Sequence, residues 1–214
     1  MKVTDKIQIT NEDNMALMSR YKDNHFDLAI VDPPYGIGIA EDFSEEKHKG
    51  KSMMKGYAKK EWDNKIPSKE YFVELKRVSK NQIIWGGNYF LDYLNATRCF
   101  VSWDKMNGTN NMADFELAWT SFNKSCRRFS MHHFSSGYGK KIHPTQKPVK
   151  LYEWLLMNYA KESDKILDTH LGSGSIALAC HNLGYELTAC ELDTEYYEAS
   201  IKRIKDHISQ QRLF

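Results

Sequence analysis

Two spacings of apolar residues take turns along this chain. Short unbroken runs, the mark of strands buried on both faces, alternate with stripes at i, i+3 and i+4, the mark of helices with one buried side. Residues 7–10 predict a strand, and a helix opens at about Asn11 as N-cap. Phe26–Val31 predicts a second strand, apolar except for Asp27. Residues 36–66 show little periodicity and predict a long loop. Ser68 then caps a helix through Val78, whose buried side is Tyr71, Phe72, Leu75 and Val78. Residues 82–85 predict a strand closed by Gly86-Gly87, with a short helix through Leu94. Residues 98–103 and Phe115–Thr120 predict two more strands, and 121–142 read as irregular and basic.

Further along, residues 149–160 predict an amphipathic helix with Leu151, Trp154, Leu155 and Tyr159 as its apolar set. Lys165–Asp168 is a strand, 169–175 a Gly-rich turn, 176–183 a helix stopped by Gly184, Glu186–Glu191 the next strand, and 194–208 a final helix. Strands alternating with helices predict an α/β domain with a mostly parallel sheet covered on both faces. About seven strands make one domain over residues 1–214, with loops 40–66 and 121–142 as the candidate recognition insertions.

Composition narrows the class. The 214 residues suffice for one substantial domain, and 41% hydrophobic with 27% charged residues excludes a disordered chain. No apolar run reaches the roughly 20 residues of a membrane span. The start, Met1-Lys2-Val3-Thr4-Asp5, lacks a signal-peptide core, so a cytoplasmic protein is expected. Cys99, Cys126, Cys180 and Cys190 form no CxxC pair and read as reduced thiols. His132-His133 lacks companions at metal-ligand spacing and reads as loop surface or a phosphate contact, so no metal is expected. A net charge of +2 does not argue for nucleic acid, but its distribution does. Lys47, Lys49, Lys51, Lys55, Lys59 and Lys60 cluster soon after residue 35, and Arg127, Arg128, Lys140 and Lys141 form a second basic stretch. Both are candidate contacts to a phosphate backbone.

Two stretches carry chemistry. Asp32-Pro33-Pro34-Tyr35 follows the second strand, at the sheet edge where α/β folds bind ligands. Two prolines stiffen the loop and remove two donors, so a carboxylate, a free carbonyl and a phenol ring are held in set directions. That suits methylation of a base's exocyclic amine: Asp32 and the Pro33 carbonyl accept the two N–H groups and draw the nitrogen toward tetrahedral geometry. Tyr35 supplies a stacking face for a base swung out of its helix. The second stretch is Asp168-Thr169-His170-Leu171-Gly172-Ser173-Gly174-Ser175, between a strand and a helix. Its glycines let backbone approach a ligand, and Glu191, 19 residues past Gly172, is placed to take ribose hydroxyls. No Lys-Ser/Thr pair follows the glycines, which excludes a P-loop. Together the stretches point to a nucleoside-type cofactor beside an amine acceptor, and S-adenosylmethionine fits that description.

With both motifs in hand, the chain resembles the β group of DNA amino-methyltransferases, in which the catalytic motif precedes the cofactor motif. Asp32 to Tyr35 looks like the catalytic motif in its adenine-preferring form. Ile83 to Phe90, Trp103-Asp104-Lys105 and Phe115 to Trp119 are similar to later family strands, and His143-Pro144-Thr145-Gln146-Lys147-Pro148 matches the segment before the cofactor strand. The resemblance implies that Thr145, Gln146 and Lys147 contact the methionine part of the cofactor, with the Lys147 ammonium on its carboxylate, and that Asp13 lies near the adenine. It implies a Rossmann-like, seven-stranded sheet with Phe115–Thr120 reversed, and a bacterial or phage-encoded adenine-N6 methyltransferase acting on double-stranded DNA with the target flipped out. Many members pair as dimers, so a homodimer is carried as an expectation. The family usually has Asp-Pro-Phe where this chain has Asp168-Thr169-His170, which alters a cofactor-wall contact. Other readings are a cytosine-N4 or RNA adenine methyltransferase, and a non-catalytic nucleic-acid-binding relic of the fold. A nicotinamide dehydrogenase shares the Gly turn but leaves Asp32–Tyr35 and His143–Pro148 without a purpose.

Overall fold

The computed structural model describes residues 2–39, 62–108, 113–132 and 141–211. Among them, in chain order, lie β1 (Ile7–Asn11), α1 (Asn14–Ser19), β2 (Phe26–Val31), α2 (Lys69–Val78) and β3 (Ser79–Trp85). Then follow β4 (Phe100–Asp104), β5 (Phe115–Thr120), β6 (Arg127–Ser130), α3 (Val149–Tyr159), β7 (Lys165–Asp168), α4 (Ser175–Leu183), β8 (Glu186–Glu191) and α5 (Thr194–Gln211).

The strands form one sheet in the order β1-β8-β7-β2-β3-β5-β4-β6. β5 runs antiparallel to both its neighbours, β3 and β4, as the resemblance implied, and the other pairings are parallel. Strand β2 shows why the sheet is buried twice over. Its Leu28 and Ile30 join one apolar cluster with α3, α4 and α5, while Ala29 and Val31 join another with α1 and α2. Successive strand residues point to opposite faces, so a run without polar alternation is what a two-sided burial needs.

From β2 the chain winds by α2 to β3, whereas from β7 it winds by α4 to β8 on the other side. β2 and β7 are nevertheless neighbours, with Leu28 opposite Ile166 and Ala29 opposite Leu167. The order therefore reverses between them, and a crevice opens at their carboxyl ends. Because β5 is reversed, it brings its amino end, Phe115-Glu116, to the same edge.

Four expectations are corrected. The sheet has eight strands rather than seven, because β6 forms inside the stretch read as irregular. Its four residues are mostly exposed and take strand form by pairing with β4, so no apolar alternation marks them. The cap of α1 is Asp13 rather than Asn11, its carboxylate accepting from the Met15 and Ala16 N–H groups. After β3 a single 3-10 turn, Gly87–Tyr89, replaces the short helix through Leu94. On α3, Leu156 and Tyr152 are buried and Trp154 is not, the apolar side lying slightly rotated from the predicted one. The cysteines are free thiols, three of them buried.

Candidate active site

Two cavities meet at the β2–β7 crevice. The larger, about 470 Å³, is lined by Gly172, Ser173 and Glu191 on one side and by Asp32, Pro34 and Lys147 on the other. The smaller, about 280 Å³, runs from Asp32 through Tyr35 to Tyr89, Lys105 and Glu116. Asp32, Pro34, Trp62, Thr145 and Lys147 line both and form the wall between them. The end of β2 thus stands where two ligands would face each other.

One wall of the larger cavity is made by local turn chemistry. Gly172 adopts φ +53°, a left-handed backbone that favours glycine, and turns its N–H onto Glu191 Oε2 at 2.8 Å. Glu191 Oε1 accepts from the Asp193 N–H at 2.9 Å, so the acid is held at both oxygens. Its carboxyl is raised above its usual range by burial, against the pull of those N–H groups. Below it, Asp168 accepts from the His170 N–H, yet burial pushes its pKa up to about 8. His170 is pushed down to about 4, again by burial, and is a neutral ring at physiological pH. Its Nδ1 meets Thr169 Oγ1 at 2.9 Å and its Nε2 meets Asn14 Nδ2 at 3.1 Å. Thr169 Oγ1 in turn meets Tyr71 Oη at 2.7 Å. The departure at Thr169-His170 is therefore a polar-edged aromatic wall tied into α1 and α2.

The smaller cavity is made by long-range charge pairing. Tyr35 Oη donates to Asp32 Oδ1 at 2.6 Å, and Lys147 Nζ donates to Asp32 Oδ2 at 2.5 Å. Lys147 also reaches Glu116 Oε2 at 3.0 Å, and Lys105 reaches Glu116 Oε1 at 2.6 Å. Burial raises Glu116, but the Lys147 and Lys105 ammoniums outweigh it and bring its pKa to about 2. Asp32 moves the other way: burial and the Glu116 charge outweigh Lys147, so its carboxyl sits above the usual range. Lys147 loses to burial but gains more from the two carboxylates, and its ammonium is held charged.

The loop after Asp32 is anchored by a residue that sequence reading missed. Asp63, buried, accepts from the N–H groups of Tyr35 (2.6 Å), Gly36 (3.1 Å) and Ile39 (2.9 Å). Its position in an unpatterned stretch hid it; an Asp beside a Trp was the sole signal. Gly86 is required by close approach, since a Cβ there would lie 2.2 Å from the Tyr35 ring. Tyr89 covers one face of that ring, with centroids 5.0 Å apart and planes 14° from parallel. The half-exposed aromatic surface of the cavity is thus Tyr89 rather than Tyr35 alone. Glu116 was also missed as a site residue, though a lone acid within an apolar strand is a signal in itself.

Of the residues assigned to the cofactor, Thr145, Gln146, Lys147, Thr169, His170, Gly172, Ser173 and Glu191 line the larger cavity. Four do not. Asp13 is spent on its helix cap, and Glu12, Asn14 and Met15 form the wall there. Asp168 lies beneath the floor, Gly174 packs toward Ile204 and Ser200 of α5, and Ser175 bonds Ser173 and Arg203. The Lys147 ammonium, expected on a cofactor carboxylate, lies between Asp32 and Glu116 instead. Arg127 and Arg128 are exposed on the edge strand β6, paired to Asn158 and Asp104, and Lys141 is half-buried, its pKa lowered by burial and Lys105. Lys47, Lys49, Lys51, Lys55, Lys59, Lys60 and Lys140 lie outside the described residues, as does His133.

The larger cavity fits a nucleoside-type cofactor in volume, with an acid at the end of β8 and an open left-handed glycine backbone. Among the described residues its lining lysines are Lys65 at an exposed position and Lys147, which is paired with Asp32.

Comparison with known proteins follows the same line. Residues 57–202 match the family described as DNA methylase, of the N6/N4 type. The type II methyltransferase M.HpaI of Haemophilus parainfluenzae is 34% identical over 76 residues, 36% of this chain and only 24% of that protein's length. The type II methyltransferase M2.DpnII of Streptococcus pneumoniae is 23% identical over 94% of this chain and 90% of its own. Among solved structures, the M1.HpyAVI–SAM complex superposes with a TM-score of 0.62 at 21% identity, covering 92% of this chain and 98% of that one. The cytosine-N4-specific PvuII DNA methyltransferase superposes with a TM-score of 0.59 at 14% identity, covering 97% and 93%. At these identities the structural likeness speaks for the fold.

Proposed function

The chain belongs to the DNA methylase family, and on that premise we propose that it transfers a methyl group from S-adenosylmethionine to the exocyclic N6 of adenine in DNA. The observation that carries this reading is the shared wall: Asp32 lines both the Gly172–Glu191 cavity and the Tyr35–Glu116 cavity. Bound S-adenosylmethionine supplies an electrophilic methyl on a sulfonium. Gly172, Ser173 and Glu191 hold the cofactor, with Thr145 and Gln146 facing it. The flipped base enters the smaller cavity against the Tyr35–Tyr89 pair. Asp32 and the Pro33 carbonyl accept the amino N–H groups and free the lone pair for attack. The N–CH₃ bond forms as the S–CH₃ bond breaks, sulfur keeps the electron pair, and the nitrogen releases one proton through the Asp32 carboxylate to water. Asp32 at the head of the motif favours adenine, because by the family pattern serine commonly leads the cytosine-N4 motif.

Arg127 and Arg128 belong to this reading as phosphate contacts. β6 runs parallel to β4, so its carboxyl end lies at the same sheet edge as Asp32. The basic cluster at residues 47–60 is a further candidate for phosphate contact by its charge.

The test is incorporation of labelled methyl into double-stranded DNA, followed by nucleoside analysis. N6-methyladenine is expected, and it should vanish with Asp32→Ala while cofactor binding persists. Label on cytosine would shift the assignment to the N4 class, label on RNA alone would remove DNA as substrate, and cofactor binding without transfer to either would leave the relic.

A further inference from the structure

Lys147 turns its ammonium toward the protein, with hydrogen bonds to Asp32 and Tyr35 and an ion pair to Glu116. Asp32 Oδ2 lies at 2.5 Å, Glu116 Oε2 at 3.0 Å and Tyr35 Oη at 3.3 Å. The side chain is 2% exposed, and its charge also lies 5.3 Å from the centre of the Trp85 ring. Glu116 is fixed from the far side by Lys105, so the ammonium is pinned between two carboxylates. We propose that Lys147 is a positioning residue whose ammonium, shared between Asp32 and Glu116, keeps the Asp32 carboxylate aimed into the base cavity as a hydrogen-bond acceptor. The inference rests on the methyl-transfer reading above and assigns Lys147 a task other than cofactor contact.

The physical reason is the protonation state of Asp32. A neutral Asp32 would present an O–H donor to an amine that is itself a donor, and the alignment of the lone pair would be lost. Tyr35 from its own loop, Glu116 from β5, Lys105 beyond β4, Asp168 at the end of β7 and Tyr71 from α2 all face this carboxylate or its partners. Of the groups acting directly on Asp32, Lys147 is the cation, while burial and Glu116 favour its protonation. Removing the ammonium takes away the cation that opposes burial and Glu116, and Asp32 shifts further toward its protonated form. The separation of 115 positions between Asp32 and Lys147 explains why no local pattern shows the pairing.

The test measures kcat against pH together with S-adenosylmethionine affinity by calorimetry. Lys147→Met should move the acid limb of kcat upward by about one pH unit or more, a tenfold loss at a fixed pH on the limb, with cofactor affinity changed less than about twofold. Lys147→Arg keeps the charge, so its limb should stay near the wild-type position with a lower plateau. If Lys147→Met misfolds by circular dichroism, the Lys147→Met/Glu116→Gln pair removes both charges, and its limb should shift in the same direction. Difference infrared spectroscopy should show a protonated carboxyl in Lys147→Met that disappears on adding Asp32→Asn. An unmoved limb with about tenfold weaker cofactor binding would make Lys147 a cofactor ligand and overturn the proposal. Absence of the infrared carboxyl overturns it as well. Should the wild type transfer no methyl at all, the reaction reading fails, and the infrared and calorimetric results still decide the state of Asp32.

Discussion

The two cavities that share Asp32 are built in opposite ways. One wall of the larger one comes from a continuous βαβ segment, where the Gly172 N–H meets a carboxylate 19 residues on, and segments from Glu12 to Tyr152 complete it. Glu191 and His170, which line it, are driven toward their neutral forms by burial. The smaller one gathers Asp32, Asp63, Gly86, Lys105, Glu116 and Lys147 from segments spread over much of the chain. Lys105, Glu116, Lys147 and Asp32 form a row of alternating charge, and its inner carboxyl, Glu116, is lowered while its terminal one, Asp32, is raised. The difference follows from what each must do. Holding a cofactor needs shape and backbone donors, whereas drawing an amine out of conjugation needs a carboxylate kept ionised away from water.

The sharpest way to break this contrast is Asp32→Ala. Methyl transfer should fall by about three orders of magnitude, while calorimetry shows S-adenosylmethionine bound as before. Equal loss of both would mean that the cavities are one unit. Asp63→Ala comes next, since it strands three N–H donors of the loop from Tyr35 to Ile39. Urea unfolding should report a loss of about 2–4 kcal/mol, and kcat/KM for DNA should drop with cofactor affinity retained. A stability unchanged from wild type would show that water replaces Asp63 at no cost. Gly86→Ala places a methyl against the Tyr35 ring on a backbone at φ +68°. About 1–3 kcal/mol of destabilisation is expected, and weaker binding of DNA carrying an abasic site opposite the target would locate the damage in the base cavity.

The smallest effect belongs to the other cavity and concerns pH. His170 has its pKa lowered from 6.5 to about 4, chiefly by burial. The unfolded chain therefore binds a proton below pH 6.5 that the native chain refuses until about pH 4. Stability contributed by the neutral ring is complete above pH 6.5 and drains away as the pH falls through that window. His170→Phe should flatten the window, leaving the variant more stable than wild type near pH 4 by at most about 3 kcal/mol relative to their difference at pH 7. Parallel melting curves across that range would mean that His170 is charged in the native protein.

How far the site could be read ahead of the fold depended on how local its contacts are. β2, β5, β7 and β8 have the bounds that the sequence predicts, because each carries a short apolar stretch whose residues are buried in the sheet. The Gly172 turn and Glu191 were legible together for a related reason: a tight turn into a helix demands glycine at a short, countable spacing from the next strand's end. β6 was not legible, since its Arg127-Arg128-Phe129-Ser130 holds strand form through its pairing with β4 rather than through side-chain alternation.

Along its length the sequence determined the strands, the stiff Asp32–Tyr35 turn and the glycine-bearing cofactor turn, all consequences of burial pattern and backbone sterics acting over a few residues. Only the tertiary structure decided that Lys147 pairs with Asp32, that Asp63 holds the loop, and that Glu116 enters from a reversed strand. A charge pair has no sequence spacing: its strength depends on distance and on the water excluded around it, and both come into being when the sheet closes.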